Sequence, residues 1–240
     1  MRRFATAIAA ASLAAALLHP TAALAWGWSG TRGDGQKVTA PRQLAPFTSV
    51  RLEGSLDASV KVGGAQAVSV TIDQNLQPLV TTEVRDGTLV VKTREISWDG
   101  KGVVEITVPA LRGLTIEGSA DVSIEGGQGD LALKIEGSGD LRWRGQAARL
   151  DASIAGSGDM KLEGAAEQAN LSVAGSGDVA AGGLTAKGAA VSVAGSGDVE
   201  VTLDGGPLSV SIAGSGDVVW HGKATVEQVS VSGSGSMVRR

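Results

Sequence analysis

Ala155-Gly156-Ser157-Gly158-Asp159 is a five-residue stretch that returns down the second half of the chain at a nearly constant interval. Its first glycine recurs at Gly118, Gly137, Gly156, Gly175, Gly195, Gly214 and Gly233, in steps of 19, 19, 19, 20, 19 and 19 residues. A fixed period of this size marks a repeat architecture, in which each unit buries its apolar face only by stacking on its neighbours.

Alignment on that glycine turns the repeats into columns. Two residues before it every copy carries Ile or Val, from Ile116 to Val231, and four before it Leu, Val or Ala, from Leu114 to Val229. The positions between and after these columns are polar or small: Thr115, Lys134, Ser153, Ser172, Ser192, Ser211 and Ser230, then Glu117, Glu136, Ala155, Ala174, Ala194, Ala213 and Ser232. Alternation of this kind is a strand with one buried face. It resumes after the turn, where Val122, Leu141, Met160, Val179, Val199 and Val218 follow the aspartate position and Ile124, Trp143, Leu162, Ala181, Val201 and Trp220 stand two further on. The sequence therefore predicts an all-β protein, a parallel β-helix (solenoid) of about 19-residue coils. Each coil is read as two short strands and two glycine turns, with equivalent strands about 4.7–4.9 Å apart and right-handed winding by the usual crossover preference.

Ahead of the repeats, residues 1–25 read as a signal peptide: Arg2 and Arg3, an apolar run from Ala5 to Leu18, and the small-x-small site Ala23-Leu24-Ala25. Export to the periplasm or the cell exterior is the expectation, with no transmembrane segment in the mature chain. The chain has no cysteine, which excludes disulfide staples and a lipidated N-terminal cysteine. The formal net charge is −4; loss of Arg2 and Arg3 takes it from −4 to −6, which speaks against nucleic acid and anionic membrane as partners. Residues 26–45 are read as a flexible leader containing Arg32-Gly33-Asp34, a tripeptide that a glycine-rich linker produces by chance. Residues 46–112 are read as the first, irregular coils and a cap, with strands at Ser49 to Leu52, Ala58 to Val62, Val68 to Ile72, Thr88 to Thr93 and Val103 to Val108 and a loop or helical turn over Asn75 to Val80. Residues 113–240 are the regular array.

The run Pro46-Phe47-Thr48-Ser49-Val50-Arg51-Leu52-Glu53-Gly54-Ser55-Leu56-Asp57, the Asp86-Gly87-Thr88-Leu89 turn and the later Gly-Ser-Gly-Asp copies together resemble the bacterial family named "putative auto-transporter adhesin, head GIN domain". The resemblance covers about residues 45–235. It implies an exported β-helical envelope protein and supplies no catalytic residues. The five residues that follow Gly235 leave no room within this sequence for a membrane barrel.

Stacking should bring Asp121, Asp140, Asp159, Asp178, Asp198 and Asp217 into one file, where neighbours at about 4.8 Å repel by roughly 0.9 kcal/mol even at the dielectric of water. Serine hydroxyls, backbone amides or bound cations would offset this. The nine-residue spacing of calcium β-rolls is absent, and Gly126-Gly127-Gln128-Gly129-Asp130 is one residue short of it. No cofactor is implied. A nucleophile triad has only His221 to draw on, Arg142 and Arg144 lie on a strand face, and Trp143 and Trp220 fall in apolar columns. The expectation is a non-catalytic surface protein with an adhesion-like or scaffolding role; the rival readings are a carbohydrate-active β-helix enzyme and a calcium-stabilised binding module. The candidate contact face is Ser153, Ser172, Ser192 and Ser211 with Ala155, Ala174, Ala194 and Ala213, a strip almost free of charge that would meet another copy of the chain or a repetitive ligand such as a glycan.

Overall fold

The computed structural model describes residues 30–94, 96–97 and 102–240; residues 1–25, read as a signal peptide, and Trp26, Trp28, Trp98 and Asp99-Gly100 lie outside them. The chain is a β-solenoid of about seven turns with coils of about 19 residues. Strands stack in parallel with glycine on glycine: Gly54 on Gly118, Gly118 on Gly137, and so on through Gly214 on Gly233. All four apolar columns face inward. Ile116, Ile135, Ile154, Val173 and Ile212 are no more than 2% exposed, and Leu141, Leu162, Val201 and Val218 are 0%.

The coils are more continuous than the reading of two short strands. From Leu141 on, each coil is one ladder of 16 or 17 residues, Leu141–Gly156, Met160–Gly175, Val179–Gly195, Val199–Gly214 and Val218–Gly233. The pairing runs round the second corner because Gly145, Gln146 and Ala147 sit in register on Gly164, Ala165 and Ala166. The single 20-residue step is absorbed there too: Lys161 pairs with Ala180, but Glu163 pairs with Gly183, a bulge that takes up one residue. A third side of the core, with Leu150, Ala169, Ala189 and Leu208 in one column and Ala147, Ala166 and Ala186 beside it, lies in this corner region.

At the N-terminal end the winding leaves chain order. Strands Thr88–Thr93 and Val103–Val108 lie on the far side of Ser49–Gly54 and Asp57–Val62, so the outermost coil comes later in sequence than the one it covers. Beyond it the chain turns antiparallel, with Val80–Arg85 on Thr88–Thr93, Ala67–Asp73 on Val103–Val108 and Lys37–Pro41 on Ala67–Asp73. The 3-10 helix Gln74–Leu79 joins these strands, with Leu76 buried. Part of the segment read as a flexible leader is therefore an ordered strand. Its alternation, Lys37-Val38-Thr39-Ala40-Pro41, is short but is anchored by Thr39 Oγ1 at 2.8 Å from Thr71 Oγ1 and by the Gln77 side-chain amide, which donates to Val38 and Val70 carbonyls.

The Gly-Ser-Gly-Asp turn uses its two glycines for different reasons. Gly156 has φ +148, a region that side chains avoid, and a Cβ there would lie 2.1 Å from the carbonyl oxygen of Gly137. At Gly158 no such φ is involved, yet a Cβ would lie 2.1 Å from the carbonyl of Gly139. Each turn is thus the floor of the next. The serine side chains at Ser138, Ser157 and Ser176 are exposed, and their amides donate to the first-glycine carbonyl one coil back.

The aspartate file is satisfied by backbone amides, not serine hydroxyls, in its interior. Asp140 N–H donates to Asp121 Oδ1 at 3.2 Å, Asp159 to Asp140 at 3.2 Å, Asp178 to Asp159 at 2.9 Å, Asp198 to Asp178 and Asp217 to Asp198 at 2.7 Å each. The file extends one member beyond the expected six, since Asp121 N–H donates to Asp57 Oδ1. Ser236 closes the other end, giving both its N–H and its hydroxyl to Asp217 Oδ1 at 2.8 Å. Each carboxylate stands in for the carbonyl that a turning backbone cannot present.

Two outcomes follow from this packing. Ile154→Asp places an unpaired carboxylate in a column where an aliphatic side chain gains about 1.5–3 kcal/mol by burial, and should lower the melting temperature by at least about 3 °C at the usual 2–4 °C per kcal/mol. Ser153→Asp, on the outer face, should shift it far less, and calorimetry compares the two. Asp159→Asn keeps the Oδ1 acceptor and removes a repelling charge, so it should leave stability unchanged or raised, whereas Asp159→Ala should cost about 1 kcal/mol. Destabilisation by asparagine, together with a fall in melting temperature on adding chelator, would instead show that the file is held by a cation.

Candidate functional site

The face formed by the residues before the turn is concave. A groove of ≈ 660 Å³ runs along it, crossing the coils from Ser49 and Thr88 to Ser211 and Gln228. Ser153, Ser172, Ser192 and Ser211 line it. Ala155, Ala174, Ala194 and Ala213, on the same outward parity, are exposed but lie beside the groove, not in it. Their place opposite the serines is taken by a column two residues earlier, Ala132, Asp151, Asn170, Ala190, Ser209 and Gln228. The same period-two alternation identifies this column, because side chains two apart on a strand share a face.

The groove changes character along its length. Arg51 and Lys134 stand at the capped end, where Arg51 pairs with Glu117 at 3.0 Å and Lys134 with Glu136. Further on, the Asn170 side-chain amide donates to Asp151 Oδ1 across neighbouring coils. From Leu171 to Val210 the lining carries no charge, only Ser, Ala and the inner aliphatics. Beside the charged end, the Lys92 ammonium bonds Glu53 at 2.7 Å and holds its carboxyl below the ordinary range. Glu163 is lowered likewise by its bond from Lys161, and Arg144 lies 3.6 Å from it.

The remaining candidates fall elsewhere. His221 Nε2 lies 2.7 Å from Glu200 Oε1 on the strand face after the turn. Arg142 and Arg144 are exposed on that face. Trp143 is 1% exposed with its Nε1 donating to the Gly126 carbonyl, and Trp220 is 7% exposed beneath the Arg239 guanidinium, so neither ring offers a face for stacking a sugar. Gly33 of the Arg-Gly-Asp tripeptide packs on Asp73, where a Cβ would sit 1.8 Å from Oδ2, and Asp34 Oδ1 accepts the Gln36 N–H in an Asx turn. Packing accounts for both residues. Among the described residues, no three or more His, Asp or Glu side chains gather where they would hold a metal ion, and no helix is long and apolar enough to cross a membrane.

Solved structures share this architecture. A putative adhesin from Bacteroides fragilis NCTC 9343 superposes with a TM-score of 0.83 at 24% identity, covering 88% of this chain and 100% of its own. A protein from Parabacteroides distasonis ATCC 8503 described as a putative lipid binding protein gives 0.71 at 24% identity, over 88% and 99%. A putative adhesin from Parabacteroides merdae ATCC 43184 gives 0.66 at 21% identity, over 88% and 99%. At these identities the likeness is one of fold. No curated protein matches the chain. The family model described as "Putative auto-transporter adhesin, head GIN domain" matches residues 46–224 and again 190–238, and the chain belongs to that family.

Proposed function

We propose that the protein is an exported, non-catalytic surface protein that holds an extended, repetitive ligand, a glycan strand in its simplest form, along the serine groove. The observation that carries this reading is the groove itself, which runs across the coils and presents the same residue type at each step, Ser153, Ser172, Ser192 and Ser211. A ligand with its own repeat meets equivalent hydroxyls at intervals of about 4.8 Å. Hydroxyls and side-chain amides such as Asn170 and Gln228 can both donate and accept, which suits a polyhydroxylated partner better than a charged one. With Trp143 and Trp220 buried, each step contributes little, and binding strength would come from many weak steps on one linked ligand. Short, nearly identical turns build no cleft around a reacting bond, which supports a binding role over the carbohydrate-active enzyme. Membership of the adhesin family and the reading of residues 1–25 as a signal peptide agree with a place at the cell surface or in the periplasm.

Lysine at both Ser172 and Ser192 should reduce binding to glycan arrays or cell surfaces at least about ten-fold, a loss of 1.4 kcal/mol or more. The melting temperature should hold, since both side chains point outward. Equal binding by wild type and double variant would show that the groove is not where the ligand lies.

A further inference from the structure

One glycine of the array is not required by the fold. Between residues 103 and 240 every other glycine either has a left-handed φ or would bring a Cβ to 3.2 Å or less from a neighbouring atom. Gly113 does neither: its φ lies outside the left-handed region, and a Cβ there would meet nothing closer than the Ala132 carbonyl oxygen at 3.5 Å. It lines the serine groove, at the head of a column that continues as Ala132, Asp151, Asn170, Ala190 and Ser209 on the following coils. The groove floor therefore lacks a side chain at a point where packing would accept one.

The gap is bordered by the positive charge of the groove. Gly113 pairs with Ser49 and Ala132, and Thr115, two residues on, pairs with Arg51 and Lys134. Arg51 and Lys134 are thus its diagonal neighbours on either side, about 8 Å away in a lattice of strands 4.7–4.9 Å apart with about 3.3 Å per residue, a span that long side chains cover. Only Arg51, Lys134 and Asp151 among the lining residues are charged, so both cations of the groove flank this one position on a chain of formal net charge −4. Asp151 is two ladder steps from Gly113. Glu117 and Glu136, which pair with the two cations, stand in the next outward column, on the side away from Gly113, and do not line the groove. Both pairs are between half-exposed side chains; such pairs are weak, and a guanidinium with five N–H groups or an ammonium with three keeps donors for a second acceptor.

We propose that the space over Gly113 is an anion subsite, which takes a carboxylate or sulfate group carried by one sugar of the ligand. The carrier rests on the glycan reading above; the anion subsite itself does not. The Arg51 guanidinium and the Lys134 ammonium meet the group from two sides with charge-assisted bonds, and the hydroxyls of Ser49 and Thr115, which also line the groove here, complete its oxygen contacts. Glycine leaves open the volume that the oxyanion fills. The charge-free stretch from Leu171 to Val210 then holds uncharged sugars, so the ligand lies in one direction only, its charged sugar toward the capped end.

Sodium glucuronate and sodium sulfate are the probes, titrated into the protein and followed by amide NMR, with sodium chloride at equal ionic strength as the control. The Ser49, Gly113 and Thr115 amides should shift saturably with at least one of the two and not with chloride; glucuronate acting alone assigns a carboxylate, and sulfate acting alone a sulfate. Arg51→Gln and Gly113→Val should each weaken that binding at least about ten-fold with the melting temperature held, since both positions face outward; if Gly113→Val unfolds, Arg51→Gln decides. Lysine at Ser172 and Ser192, which tests the glycan reading, should leave anion binding at Gly113 intact, so the two readings fail separately. Shifts no larger than those with chloride, or binding as tight in Arg51→Gln and Gly113→Val as in wild type, would overturn the subsite.

Discussion

The whole array depends on one close approach, the backbone of each Gly-Ser-Gly-Asp turn lying directly on the turn before it. A Cβ at Gly156, Gly175 or Gly214 would fall 2.1 Å from the carbonyl oxygen beneath, so every copy is constrained both by the one below and by the one above. Strand positions answer only to volume and polarity, which is why Ile, Val, Leu, Met and Trp exchange within the columns while the turn does not vary from Gly137 to Gly216. The floor-to-floor contact at the second glycine begins at Gly139, whose Cβ would meet the Ala120 carbonyl. In the two preceding coils the second glycine is Leu56 and Ala120, both buried, and there the turn contributes a side chain to the core.

Charge is handled by the same geometry. A file of carboxylates at the coil spacing is repulsive by roughly 0.9 kcal/mol per neighbour pair at the dielectric of water, and less where salt screens exposed groups. Each repulsion is offset by a charge-assisted bond from a backbone amide that would otherwise have no carbonyl to meet at the corner. The aspartates are turn residues whose acceptor happens to be charged. The substituted backbone bond explains why the file starts at Asp57, where the first coil turns, and ends at Ser236, where no further aspartate is present to receive an amide.

The proposed ligand face sits on the part of the coil that this constraint leaves free. From Leu171 to Val210 the groove-lining outward positions before the turn are held by the ladder alone, so they can be small and uncharged over several coils without loss of fold. Concavity then converts a strip of serines into a groove. The capped end contributes charge to that groove through Arg51 and Lys134.

The period, the inward columns and the parallel stacking were all legible in the sequence, because a solenoid coil contacts only its neighbours and its rules are local and repeated. The echo of the signature at Glu53-Gly54-Ser55-Leu56-Asp57 placed the first coil for the same reason. Three things were settled only by the tertiary structure. Strands 88–93 and 103–108 lie outside the coil that precedes them in sequence, a non-local pairing that leaves no periodic trace. The ordering of Lys37–Pro41 rests on Ala67–Asp73 and on Gln77, whose pairings with it span 28 or more positions. The groove excludes the alanine column and takes in Asp151, Asn170 and Gln228, because alternation says which side chains face outward, whereas the bend of the sheet decides which outward residues face each other.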